Sequence, residues 1–91
     1  GGGVASGERT SAVWGAGVSL NDLGRAYLDL GEIARAQAAL EQSLALRSPE
    51  RDPAGVASVL VRLGILHNNT GDWQRSLDAY QRALRSARAA H

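Results

Sequence analysis

Apolar residues recur along this chain at spacings of three and four, and the stripes they form are broken at regular places. Leu20, Leu23, Tyr27 and Leu30 make one stripe, the spacing of an amphipathic helix. Gly31 ends it, because glycine takes the left-handed backbone that follows a helix end at least cost. Glu32 follows, an acid well placed beside a new helix N-terminus, and Ile33, Ala36, Leu40 and Leu44 form a second stripe. The pattern then repeats. Leu60, Leu63, Leu66 and His67 lead to a stop at Gly71, Asp72 serves as N-cap or first-turn acid, and Trp73, Leu77, Tyr80 and Leu84 follow. Between the halves lies the only proline-bearing stretch, Ser48 to Pro53, where Asp52-Pro53 reads as an N-cap followed by a first-turn proline. Helices are therefore expected near residues 11–30, 32–47, 53–70 and 72–89.

Sliding the chain against itself by 40 residues needs no gap. It pairs Gly15 with Gly55, Leu20 with Leu60, Leu23 with Leu63, Gly24 with Gly64, Gly31 with Gly71, Arg35 with Arg75, Ala39 with Ala79 and Leu44 with Leu84. Similar residues pair between these, such as Glu32 with Asp72, Ile33 with Trp73 and Leu40 with Tyr80. The matches fall on glycines and on apolar positions at helical spacing, which is the mark of a structural repeat. Gly24 and Gly64 sit mid-helix, where glycine costs about 1 kcal/mol relative to alanine. A glycine kept twice in the same register points to close helix approach, with Ala36 and Ser76 facing it from the second helix of each copy.

These residues resemble the tetratricopeptide repeat, whose signature is W-x2-L-G-x2-Y, then A-x3-F, then P. The first copy reads Leu20-x2-Leu23-Gly24-x2-Tyr27, then Ala36-x3-Leu40, with Pro49 after the second helix. The second reads Leu60-x2-Leu63-Gly64-x2-His67, then Gly71-Asp72-Trp73, then Ser76-x3-Tyr80. The resemblance covers residues 12 to 88 and implies an all-α fold of two tandem antiparallel helix–turn–helix repeats. These four helices would form a fragment of a right-handed α-solenoid. The corresponding division is a flexible Gly/Ser leader over 1–10, repeat one over 11–47, an inter-repeat loop over 48–52, and repeat two with a C-terminal tail over 53–91. Two departures stand out. The period is 40 rather than about 34 residues, which predicts longer helices at the junction, as in arrays of bacterial multidomain regulators and scaffold proteins. His67 stands where the family has tyrosine, which predicts looser packing there.

Composition narrows the function. At 91 residues the chain is one small domain, and a globule of this size buries only about 60% of its unfolded surface. A formal net charge of +1 leaves no strong electrostatic footprint for nucleic acid or acidic membranes. Cysteine is absent, which excludes disulfides, thiolate metal sites and a cysteine nucleophile. All ten basic residues are arginine, and methionine and phenylalanine are missing, a bias that points to a high-GC bacterial source. The chain opens Gly1-Gly2-Gly3 without methionine, so it reads as a fragment or as carrying an added leader. No apolar run approaches the roughly 20 residues of a membrane helix, and no signal peptide is visible, so the expected location is the cytoplasm.

An enzyme needs a constellation of groups, and none is found. His67 lies on a core stripe and reads as a packing histidine, and His91 is the terminal residue. There is no lysine for a phosphate loop and no strand for a dinucleotide fingerprint around Gly15 and Gly17. No cofactor or metal is expected. Arg75, Arg82, Arg85 and Arg88 crowd the last helix, with Asp78 spaced for local ion pairs, and a solvated convex face accounts for them better than nucleic-acid contact.

The resemblance implies a binding module in which the first helices of successive repeats line a concave groove for a protein or peptide. The residues expected toward that groove are Asn21, Asp22, Arg25, Leu28 and Asp29 on the first helix, and Val61, Arg62, Ile65, Asn68 and Asn69 on the third. Asparagine can donate to and accept from an extended backbone, and arginine offers a fork to a carboxylate. Each of these positions also fits a plain solvent-facing helix residue. The lysine–asparagine carboxylate clamp of some relatives is not expected, since lysine is missing. Two repeats are fewer than such arrays usually need, and Leu77, Leu84 and Ala87 would leave apolar surface at the end. That predicts self-association or packing on further repeats, and a structural oligomerisation module is the alternative to a peptide-binding adaptor.

Overall fold

The computed structural model describes residues 20–90, all of it helix and short connections. Helix α1 covers 20–30, α2 Ile33–Ala45, α3 Pro53–Asn69 and α4 Trp73–Ala89. The expected leader, the start of the first helix at 11 and the terminal His91 lie outside the described residues. No described helix is long and apolar enough to cross a membrane.

The two hairpin turns are copies of each other. Gly31 and Gly71 have φ of 78° and 80°, the left-handed conformation the pattern predicted. Around the first, the Glu32 amide donates to Tyr27 O at 2.8 Å and the Gly31 amide to Leu28 O at 3.0 Å. Around the second, the Asp72 amide donates to His67 O at 2.9 Å and the Gly71 amide to Asn68 O at 3.1 Å. Both are Schellman closures, which satisfy the last carbonyls of one helix while reversing the chain into the next. The residue after each glycine is also the next N-cap. Asp72 accepts from the Arg75 amide at 3.2 Å, whereas Glu32, one methylene longer, makes no cap bond and instead pairs with Arg35 at 3.4 Å.

The inter-repeat connection is held differently. Asp52 caps α3 by accepting from the Gly55 amide at 3.0 Å, and its second oxygen takes the Arg47 guanidinium at 2.6 Å. Arg47 also donates to Ser43 at 3.3 Å, so one arginine ties the end of α2 to the start of α3. A Cβ on Gly55 would collide with both the Arg47 and Asp52 side chains. The expected lengthening at the junction is not found in α2, which ends at Ala45, two residues short of the expected limit. Helix α3 on the other side of the junction has 17 residues against 13 in α2, and the rest of the period lies in the connection, where Pro49 disfavours helical geometry at Ser48.

Helix α3 packs on both α2 and α4, while those two stand apart with no Cα pair within 8 Å. The core is Ala36 and Leu40 of α2, Val56, Val59, Leu60, Leu63 and Leu66 of α3, and Ala79 and Ala83 of α4, with Tyr27, Leu28, Ile33 and Leu44 against it. The glycines that the repeat predicted as close-approach points are such points. A Cβ at Gly24 would lie 2.6 Å from Leu40 Cγ and Cδ2, and one at Gly64 would lie 2.7 Å from Tyr80 Cε1.

Two expected core stripes are only partly buried. Leu23 is 43% exposed and Leu30 75%, whereas Leu63, the partner of Leu23 one period on, is 6% exposed. Helix α3 has α2 against that side, and among the described residues no helix precedes α1. At the other end α4 buries Ser76, Ala79 and Ala83 instead of its large residues, leaving Trp73, Leu77 and Leu84 more than half exposed. Small residues let α4 approach α3 closely, and of its large ones Tyr80 lies over Gly64 while Trp73, Leu77 and Leu84 stay exposed.

Candidate functional site

The ten residues expected along a groove form five pairs at the 40-residue offset, and the two copies present them differently. On α3, Val61 and Ile65 lie one turn apart, each 40% exposed, with Asn68 a further turn along the same face. Asn69 beside it is exposed and Arg62 half-buried. On α1, Asp22, Arg25 and Asp29 are exposed at spacings of three and four, so they share a face. Asn21 and Leu28 differ from this. Asn21 is 92% buried, with an Oδ1 that has no hydrogen-bond partner among the described residues, and Leu28 packs against the core. The outward-facing apolar character of this surface therefore comes from the second copy and its charge from the first.

Helix α3 is apolar on two sides. Val56, Val59, Leu60, Leu63 and Leu66 are buried, while Val61 and Ile65 leave the body of the protein on another face. Proline at its first turn and an Asp52 cap start this helix, and His67, Asn68, Asn69 and Thr70 bring it to its polar end. Thr70 Oγ1 donates to His67 O at 2.9 Å, one of the local bonds that finish the helix.

One concavity was not foreseen. Because α2 and α4 stand apart on α3, an open cleft of about 410 Å³ lies between them. Leu60, Leu63 and His67 form its floor, Gln37, Glu41 and Leu44 one wall, and Arg75, Asp78, Ala79 and Arg82 the other. The walls carry charges of both signs, and Arg75 is already engaged with Asp72 at 3.4 Å rather than with Asp78. The half-buried His67 shares the cleft with these groups. Among the described residues no three histidine, cysteine or acidic side chains cluster to hold a metal ion.

A model of the tetratricopeptide repeat matches the chain twice, over residues 17–48 and 56–91, one match for each helical hairpin. No curated protein and no solved structure matches it at significant similarity. Repeats of this kind serve in protein–protein interaction. Two matches covering most of the chain, on two hairpins that share their turn geometry and their glycine seams, place this protein in the tetratricopeptide repeat family.

Proposed function

We propose that this chain is a non-catalytic adaptor segment that holds a peptide or protein along the outward face of α1 and α3. The observation that carries this reading is the pair Val61 and Ile65, two β-branched side chains one turn apart and 40% exposed on a helix already buried on other sides. Scattered apolar residues on a surface are ordinary. Adjacent ones flanked by Asn68, Asn69 and Arg62 offer an apolar anchor with polar groups around it, the usual composition of a recognition surface. Asp22, Arg25 and Asp29 on α1 add charge that can select the ligand. Asn21 contributes to this surface through the position of α1 rather than by direct contact, since its side chain is buried.

The composition and the 40-residue period favour a sensor or scaffold segment of a bacterial regulatory protein acting in the cytoplasm, with no cofactor. The test is selection of a phage-displayed random peptide library on the 91-residue chain, followed by binding of the resynthesised peptides to wild type and to Val61→Asp/Ile65→Asp. Both sites are surface positions, so the double variant should keep its helical signal and bind more than about tenfold more weakly, a loss of at least 1.4 kcal/mol. Undiminished binding by that variant, or no enrichment of peptides at all, would remove the reading.

A further inference from the structure

We infer that the cleft between α2 and α4 is a small-molecule site, and that it takes a free aromatic amino acid. Its floor traces to two substitutions in the repeat signature. That signature has tryptophan at the position of Leu60 and tyrosine at the position of His67. These two side chains, with Leu63 between them, are the floor of the 410 Å³ opening. Where two larger rings belong, the second copy has a leucine and an imidazole, whereas the first copy keeps its tyrosine at Tyr27. Leu44 and Ala79 continue the apolar lining up the two walls. A planar ring set against the His67 imidazole and these leucines restores the packing that the shorter side chains leave unmade. A concavity of this size, apolar below and polar at the rim, has the composition of a small-ligand site.

The rim selects among aromatic ligands. Glu41 stands on the α2 wall, and Arg75, Asp78 and Arg82 on the α4 wall, so the charges balance. Gln37 Nε2 donates to Glu41 at 3.1 Å, and Arg75 is paired with Asp72 at 3.4 Å. Asp78 and Arg82 lie four residues apart, the spacing of a local ion pair, yet neither has an ion pair or hydrogen bond among the described residues. An α-amino acid meets both signs at once, its carboxylate on the Arg82 fork and its ammonium toward Asp78 and Glu41. A ligand of one charge leaves the opposite groups unmet and faces its own sign. The site is independent of what binds at Val61 and Ile65, which lie on another face of α3. It is equally independent of any helix beyond α4. At 3.6 residues per turn, Trp73, Leu77 and Leu84 lie on the side of α4 opposite Asp78 and Arg82, so a helix covering them leaves the cleft open.

The test is an amide-resolved NMR titration of the chain with L-tryptophan and with three analogues. Indole-3-propionate keeps only the carboxylate, tryptamine only the ammonium, and N-acetyl-L-tryptophanamide neither, as in a residue inside a peptide. L-tryptophan should give saturable shifts centred on the cleft, and each analogue should bind about tenfold more weakly or worse. Glu41→Gln and Arg82→Gln alter exposed helix positions, so both should keep the fold and weaken L-tryptophan about tenfold. His67→Tyr puts back the ring of the signature and fills the cleft, so it should abolish binding without lowering the melting temperature. If that variant loses its helical signal, Glu41→Gln and Arg82→Gln decide alone. Absence of saturable shifts with L-tryptophan overturns the proposal, as do shifts centred away from the cleft. N-acetyl-L-tryptophanamide binding as tightly as L-tryptophan also overturns it, since a peptide side chain would then be the occupant. So does undiminished affinity in Arg82→Gln or in a folded His67→Tyr.

Discussion

The Ser76 hydroxyl donates to the carbonyl oxygen of Gly64 at 2.8 Å, and the bond is buried in the seam between α3 and α4. Ser76 thus pins α4 to α3 at a position where α3 has no side chain. Tyr80, one turn further along α4, lays its ring across the same glycine. In the first copy alanine replaces the serine and leucine the tyrosine, and the Gly24 seam relies on packing alone.

Replacing Ser76 with alanine should cost about 1 kcal/mol, the net worth of an ordinary intramolecular hydrogen bond, and no more, because alanine fills the equivalent position at Ala36. Urea unfolding would show the midpoint fall with the slope unchanged. A loss several times larger would mean that the hydroxyl does more than bridge the seam.

The two seam glycines should respond unequally to alanine. Both substitutions gain about 1 kcal/mol of helix propensity and both create an overlap that costs about 1–3 kcal/mol if nothing moves. At Gly24 the obstacle is Leu40, which is fully buried and has nowhere to go. At Gly64 it is Tyr80, which is 38% exposed and can swing outward. Gly24→Ala should therefore be clearly destabilising and Gly64→Ala close to neutral in thermal melts. The reverse order would show that the ring of Tyr80 is held in place.

Asp52 does two things at once, and its substitutions should separate them. Asparagine caps a helix as well as aspartate, so Asp52→Asn should lose the Arg47 pair and keep the bond from the Gly55 amide. Asp52→Ala loses both, and should be less stable than Asp52→Asn by about 1 kcal/mol, the usual value of a cap. The Arg47 and Asp52 side chains are only 10% and 23% exposed, so the pair is shielded, and high salt should erode it far less than the Arg35–Glu32 pair on the surface. Equal stability of the two variants would assign the capping bond no weight.

What the sequence made legible here is local. Gly31 and Gly71 stop helices through their own backbone, Asp52 and Asp72 cap the helix they precede, and Gly24 and Gly64 mark contact within one hairpin. Each depends on residues of the same turn or the same hairpin. Burial of a stripe does not, since Leu23 and Leu63 occupy the same register and differ because only α3 has a described helix on that side. The same limit applies to the groove residues. Asn21 and Val61 are equivalent by periodicity, yet one is buried and the other exposed. The cleft between α2 and α4 was invisible for a related reason, because the distance between helices that do not touch leaves no period in the chain.

That asymmetry yields the last prediction. Leucines at equivalent positions should differ in energetic weight according to their neighbours, so Leu63→Ala should cost about 2–5 kcal/mol and Leu23→Ala well under half of that. On the second helices, Leu40→Ala empties a fully buried site, whereas Leu84→Ala trims a side chain 51% exposed and should barely shift the midpoint of a dilute sample. Concentration then becomes the discriminating variable. If the open faces meet between copies, raising protein concentration should stabilise wild type by mass action and leave Leu84→Ala lagging behind it. A gap between the two midpoints that is the same at every concentration would confine the role of Leu84 to its own chain.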